Sequence, residues 1–275
     1  MHVAPSAPAR ISSLVSRWRR LNASRWSTAT TLRLCSVALG LAAWEVAGQI
    51  GDTIAVPPLS SVIAAWFTLL NDGSLIRELL VSLQALSVGF LLAVLVGLGL
   101  GLAIGTLPDL DHLLEPYVSA LLALPSVAYI PLIMLWLGFG LEARIAIVFE
   151  FAVLVIAINT RAGVLAVDRS LMEMGRSFGM TRQQLFTSIV LRAASPTIFA
   201  GLRIGIGRAV KGMVTAELLL VLVGLGGMIR YLGSSFRVDF LLAVVVTIVV
   251  VAMFMTAVLQ SIDRRLNAWA VAVRP

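Results

Sequence analysis

The sequence predicts an all-α integral membrane protein with six transmembrane helices and both termini in the cytoplasm. Three observations carry that prediction. First, 59% of the 275 residues are hydrophobic and only 13% are charged, against about a quarter charged in soluble domains. The mean hydropathy is +0.99, and a soluble fold of this size has no way to bury so much apolar surface. Second, six stretches approach the roughly 20 apolar residues that a spanning helix needs. They lie at about 34–50, 79–105, 117–138, 143–159, 197–223 and 240–260. None alternates strictly, which argues against a β-barrel. Third, the arginines follow topology. Fourteen fall before span one, between spans four and five, or after span six, and four (Arg77, Arg144, Arg230, Arg237) fall in the alternate loops. Positive residues mark the cytoplasmic side, so residues 1–33, the 161–196 segment and the 266–275 tail are expected there, around a 34–265 transmembrane domain. The loop 106–116 carries Asp109, Asp111 and Glu115 without a cation, but acidic residues count for little in this rule.

From the N-terminus, residues 1–33 are polar and rich in Arg, Ser and Ala. They read as a topogenic tail, or as a segment that Trp18 and Trp26 lay on anionic lipid. Span one reads as a retained signal-anchor, because no A-x-A-like site follows it. Val56-Pro57-Pro58-Leu59-Ser60-Ser61 then opens a short helix capped by Ser60 or Ser61. Its apolar face is Val62, Ala65, Trp66, Leu69 and Leu70, as in a helix lying on a membrane surface. Asn71-Asp72-Gly73-Ser74 ends it.

Span two carries Gly97, Gly101 and Gly105 at four-residue spacing, and span five carries Gly201 and Gly205, then Gly212 and Ala216. Such stripes let helices approach closely. Span three contains Pro125 and Pro131. Each removes a backbone donor, so a bent helix is expected, serving either packing or a transport pathway. Span four is short and carries Glu150; span five carries Arg208 and Lys211 three residues apart, and Glu217. Charges in apolar spans are costly unless paired or facing water. Two readings stand: a structural pair of Lys211 with Glu150 or Glu217, or a cationic stripe that attracts a passing anion. Glu45 in span one has no evident partner in the sequence.

The 161–196 segment is the most informative. Ser170-Leu171-Met172-Glu173 has the form of a capping box, and so does Thr181-Arg182-Gln183-Gln184. Gly179 between them supplies a left-handed turn residue, and Met180 and Leu185 are spaced as a hydrophobic staple. The sequence therefore predicts helix, tight turn, helix. The first helix presents Leu171, Met172, Met174 and Phe178 to the membrane surface or to a partner's groove.

Glu173-Met174-Gly175, with Gly179 six residues after the glutamate and then Ile189 and Leu191, resembles the EAA signature of ABC importer permeases, E-A-A-x3-G-x9-I-x-L-P. Met174 stands where that pattern has Ala and Arg192 where it has Pro; Pro196 follows four residues later. Val56-Pro57-Pro58, Leu124-Pro125-Ser126, Ile130-Pro131-Leu132, Trp136-Leu137-Gly138, Gly201-Leu202-Arg203-Ile204-Gly205 and Ala216-Glu217-Leu218 are similar to the nitrate/sulfonate/taurine group. The resemblance covers roughly residues 54–265. It implies the ABC importer permease fold, a homodimeric pore, a cytoplasmic ATPase dimer and an extracytoplasmic solute-binding protein. It also implies that Glu173, Met174, Gly175, Phe178, Gly179, Leu185, Ile189 and Leu191 couple to the ATPase. Pro125, Pro131, Glu150, Arg208, Lys211 and Glu217 are the candidate pathway residues.

Lys211 is the only lysine and lies between Val210 and Gly212, so no Walker A loop exists. ATP is expected to bind the partner subunit, and no cofactor is expected here. His2 and His112 are the only histidines and make no metal site alone. Cys35 is the only cysteine, which excludes an intrachain disulfide. The basic balance follows topology, so no nucleic-acid partner is expected. An ion-gradient-driven secondary transporter is the alternative; it predicts an internal repeat and a chain of titratable midplane residues, and neither is evident.

Overall fold

The computed structural model describes residues 31–51, 56–219 and 223–267. Among them there is no strand. Residues up to Ala64 and from Ala65 onward form two units, and most of residues 1–33 and of the 266–275 tail lies outside the described residues.

In the first unit, α1 runs Thr31–Ile50 and α2 begins at Leu59, ending at Asn71 in the second unit. The expected Ser60 or Ser61 cap does not form. Glu45 caps α2 instead: its Oε2 accepts from the Ser60 N–H at 2.9 Å and its Oε1 from the Ser60 hydroxyl at 2.8 Å. A carboxylate at the positive end of a helix dipole is the stronger cap, and it gives Glu45 the partner that was not evident in the sequence. The apolar face of α2 is as expected, with Val62, Ala65 and Leu69 buried.

The second unit is a helical bundle: α3 Ser74–Thr106, α4 Pro108–Ala123, a 3-10 turn Ser126–Tyr129, α5 Ile130–Leu137, α6 Leu141–Leu165, α7 Arg169–Ser177, α8 Arg182–Leu185, a π turn Phe186–Val190, α9 Leu191–Leu219, α10 Gly224–Ser234 and α11 Val238–Leu266. Helix α6 is its axis, packed along its length against α3 on one side and α9 on the other. The glycine stripes are the contact lines. A Cβ added at Gly101 would stand 2.5 Å from Thr160 Cβ, one at Gly97 2.9 Å from Ile156, and one at Gly212 2.8 Å from the Phe151 ring. The core between them is Leu86, Ala93, Val148, Ala152, Ile156, Ile206, Ala209 and Met213.

Among the described residues, four helices are long and apolar enough to cross a membrane: Thr31–Ile50, Ser74–Thr106, Arg182–Leu219 and Val238–Leu266. The expected third span is not one rod. Its two parts, α4 and the segment through α5, meet at 93°. The cause is local. The residue before a proline is driven out of the α region, and Leu124 and Pro125 are both extended, at ψ 133 and 123. Pro131 causes no break, because it stands in the first turn of α5, where its missing N–H costs nothing.

Candidate coupling hairpin and membrane charges

Helix α7 begins two residues earlier than the sequence suggested. Asp168, not Ser170, is the N-cap, and its Oδ1 accepts from the Ser170 N–H at 2.9 Å. The Ser170–Glu173 capping box is therefore absent. Asp caps at least as well as Ser and adds a negative charge at the positive helix end. The Ser170 backbone N–H, then its hydroxyl, hold the Asp168 carboxyl below its ordinary value.

The helix ends in a Schellman motif. The Met180 N–H donates to the Gly175 carbonyl at 3.1 Å and the Gly179 N–H to the Arg176 carbonyl at 2.9 Å. Gly179 sits at φ 74, as the motif requires of its left-handed residue. The second capping box forms as expected: Thr181 Oγ1 accepts from the Gln184 N–H, and Gln184 Oε1 accepts from the Thr181 N–H at 2.8 Å.

The hairpin folds onto one small residue. A Cβ on Gly175 would lie 2.5 Å from Leu185 Cδ2, 2.7 Å from Ile189 Cδ1 and 3.1 Å from Met180 Sδ. Gly175, Met180, Leu185 and Ile189 thus meet, which explains why the third signature position is small. Leu191 follows as the first residue of α9. Glu173 faces solvent. So do Phe178, at 79% exposure, Met174 and Leu171. One face of the hairpin locks it together and the other stands free. The sequence did not signal the π turn.

The membrane charges are arranged differently from the sequence expectation. Lys211 and Arg208 are both exposed on α9, and among the described residues Lys211 makes neither expected ion pair. Glu150 on α6 is half-buried, and its Oε2 has no hydrogen-bond partner among the described residues. Glu217 is fully buried and points away from that face. Its Oε2 accepts from the Ser82 hydroxyl and from the Gly226 N–H, each at 2.9 Å, and Arg144 Nη1 stands 3.8 Å from its Oε1. Pro125 and Pro131 flank the break, both exposed.

Two further ties were missed. Asp111 on α4 takes a two-pronged bond from Arg161 on α6, at 2.5 and 2.8 Å. The two residues are 50 positions apart, and no local pattern links them. The N-terminus of α10 is clamped by side chains of α3 and α9: Glu78 Oε2 accepts from the Gly224 N–H at 2.8 Å, Ser82 Oγ from the Leu225 N–H at 2.8 Å, and Glu217 from the Gly226 N–H.

An all-helical bundle with several membrane-length helices and a hairpin between two of them defines a multi-pass membrane protein. The profile described as "Binding-protein-dependent transport system inner membrane component" matches residues 93–268, and the chain belongs to that family. It is 30% identical over 254 residues to the taurine transport system permease protein TauC of Escherichia coli K12, covering 89% of this chain and 92% of that one. It is 29% identical to the putative aliphatic sulfonates transport permease protein SsuC of Bacillus subtilis, over 84% of this chain and 85% of that one. With the nitrate import permease protein NrtB of Synechocystis it shares 34% identity over 57% of each chain. A chain of the MetNI methionine ABC transporter, in an inward-facing form, has the same fold: TM-score 0.62 at 20% identity, over 70% of this chain and 95% of that one. The protein is thus an ABC importer permease of the inner membrane, as the EAA resemblance implied.

Proposed function

We propose that two copies of this chain form the translocation pathway for a small anion, and that a separate cytoplasmic ATPase dimer drives it through α7. ATP is bound and hydrolysed by that partner, and an extracytoplasmic binding protein delivers the solute. The observation that carries the reading is the free apolar end of the hairpin. Phe178 stands 79% exposed beside a turn fixed by Gly179, so a rigid body offers an unfilled hydrophobic anchor. The coupling residues fall into two groups. Gly175, Leu185, Ile189 and Leu191 stiffen the hairpin, whereas Glu173, Met174 and Phe178 meet the ATPase.

The arrangement calls for six spans, two more than the four long apolar helices among the described residues. Helix α6, with 25 residues, is about 37 Å long and exceeds the roughly 30 Å hydrocarbon core; the α4–α5 pair supplies the other. The termini and the hairpin then share the cytoplasmic side. The anion reading rests on Arg208 and Lys211, exposed cations on the α9 face, and agrees with what the relatives named above carry. Pro125 makes the helix break, and Pro131 and Glu150 line the same pathway beyond it.

Co-purification with the candidate ATPase tests the coupling role, with Gly179→Val as the variant. A β-branched residue at positive φ is strained by about 1–2 kcal/mol, so the turn opens. The expected result is ATPase association in wild type and its loss, or loss of stimulated turnover, in Gly179→Val. A purified chain that binds no ATPase and moves solute down an ion gradient overturns the reading in favour of a secondary transporter.

A further inference from the structure

Helix α4 is loosely held for a member of a bundle. None of its 16 residues is buried, and both of its ends are breaks. Leu107 before it is extended at φ −115, ψ 99, and Leu124 after it at φ −79, ψ 133. Towards α6 it leaves a cavity of about 110 Å³, lined in part by Val118, Ser119 and Leu122 of α4 and by Ala157 and Ile158 of α6. Side chains facing a gap lose their dispersion contacts, so apolar packing does not fasten α4 to α6. A second copy of the chain could cover the exposed Leu113 and Tyr117, but it adds no tie between α4 and α6 of one copy. The other arm of the bent segment is held differently: Ile130 of α5 is buried against Ala143 and Ile147 of α6.

One contact bridges the gap. Arg161 Nε and Nη2 donate to the two carboxylate oxygens of Asp111 at 2.5 and 2.8 Å. Among the described residues it is the only ion pair that α4 makes. Paired charge-assisted bonds of this form fix orientation as well as distance. The Arg161 end is built into the stem of the hairpin. The Ala166 N–H donates to the Ala162 carbonyl at 3.0 Å and the Leu171 N–H to the Asp168 carbonyl at 3.2 Å, so hydrogen-bonded backbone runs from α6 into α7. Val164 packs with Val190 and Ala194, and Met172 of α7 joins the same cluster. Arg161, the hairpin and the start of α9 therefore belong to one packed body.

We infer that Asp111 and Arg161 are a positioning pair that recruits α4 into the body moved by the ATPase. With the pair intact, both arms of the bent α4–α5 segment travel with α6, α5 by apolar packing and α4 by the ion pair. Without it, α5 still follows α6 and α4 lags behind, swinging about Leu107 and the break at Leu124–Pro125. The inference rests on the coupling reading above and names the residues through which that movement reaches the pathway. Neither residue touches the solute. The competing role is a static brace. A brace adds stability in every state of the transporter, and its loss leaves the response of α4 to nucleotide unchanged.

The test is hydrogen exchange on the permease–ATPase complex in lipid nanodiscs, without nucleotide and after trapping with ATP and orthovanadate. In wild type, trapping is expected to change exchange in α7, in the second half of α4 and at the Ser126–Tyr129 amides. In Asp111→Asn and in Arg161→Gln the change in α7 is expected to persist. The change in α4 and at the break is expected to shrink about threefold or more, the effect of losing one coupled contact. The double variant Asp111→Arg with Arg161→Asp re-forms the pair with its charges exchanged and is expected to restore the response. Unchanged protection in α3 and α9 shows in each case that the bundle is folded. A full response of α4 and the break in both single variants overturns the proposal and leaves the pair a brace. So does a wild type in which α7 responds and α4 does not. A wild type in which α7 itself is silent strikes the coupling reading instead.

Discussion

Helices α7 and α10 close with the same hydrogen-bonding motif, and they fill its left-handed position differently. At the end of α7 the residue is Gly179 and an exposed Phe178 precedes it; at the end of α10 an exposed Phe236 occupies the position itself. Their starts differ too. An exposed side chain one residue outside the helix, Asp168, caps α7, whereas buried groups from α3 and α9 clamp α10. The α7 hairpin is self-contained: its caps, turn and staple come from its own sequence. That suits an element that has to move as a unit. The α10 corner borrows its rigidity from the bundle and so reports the positions of α3 and α9.

The largest expected effect comes from cutting that borrowed support. Glu217→Ala removes the acceptor for Ser82 and Gly226 and leaves Arg144 buried without a counter-charge. Breaking a buried pair from one side costs about 3–5 kcal/mol. Thermal unfolding in detergent should show a marked loss, and hydrogen exchange should speed at the amides of Gly224 to Gly227 while α7 stays protected. Equal loosening of α7 and α10 would sink the claim that the two ends are independent.

Next in size is an attack on the self-contained hairpin. Gly175→Leu forces a side chain into the space held by Leu185 and Ile189, and overpacking costs about 1–3 kcal/mol. The expected outcome is the mirror image: faster exchange in α7 and α8, unchanged protection in α10, and weakened ATPase stimulation. If coupling survives intact, hairpin rigidity is not what transmits the signal.

What the sequence made legible follows the same division. Gly179, the Thr181–Gln184 box and the meeting of Met180 with Leu185 were readable because their partners lie within a few residues. The glycine stripes were readable as contact lines, although not which helix they face. The membrane charges were not readable. One of the two readings paired Lys211 with Glu150 or Glu217, but Glu217 turns inward to Ser82 and Arg144. Partners 135 residues apart, such as Ser82 and Glu217, leave no spacing signal in one chain. The cap of α7 was misread for a different reason. Two acceptors, Asp168 and Ser170, stand two residues apart, and the four-residue box pattern favoured the second.

The smallest effect tests that correction through pH. The Ser170 N–H and hydroxyl hold the folded Asp168 carboxyl below its ordinary value of 3.8. A carboxylate depressed by folding contributes stability that is fully present above its unfolded value and is lost as pH falls through the folded one. The window for Asp168 is therefore below about pH 4. Many carboxylates titrate there, so the global melting temperature does not isolate this one. The informative comparison is with Asp168→Asn, whose side-chain oxygen still caps the helix but does not ionise. At neutral pH the wild type should protect the first amides of α7 slightly better, because its charge adds to the dipole interaction. Protection of those amides should then fall in wild type, relative to Asp168→Asn, as pH drops through the window. An identical pH profile in the two proteins would return the cap to Ser170.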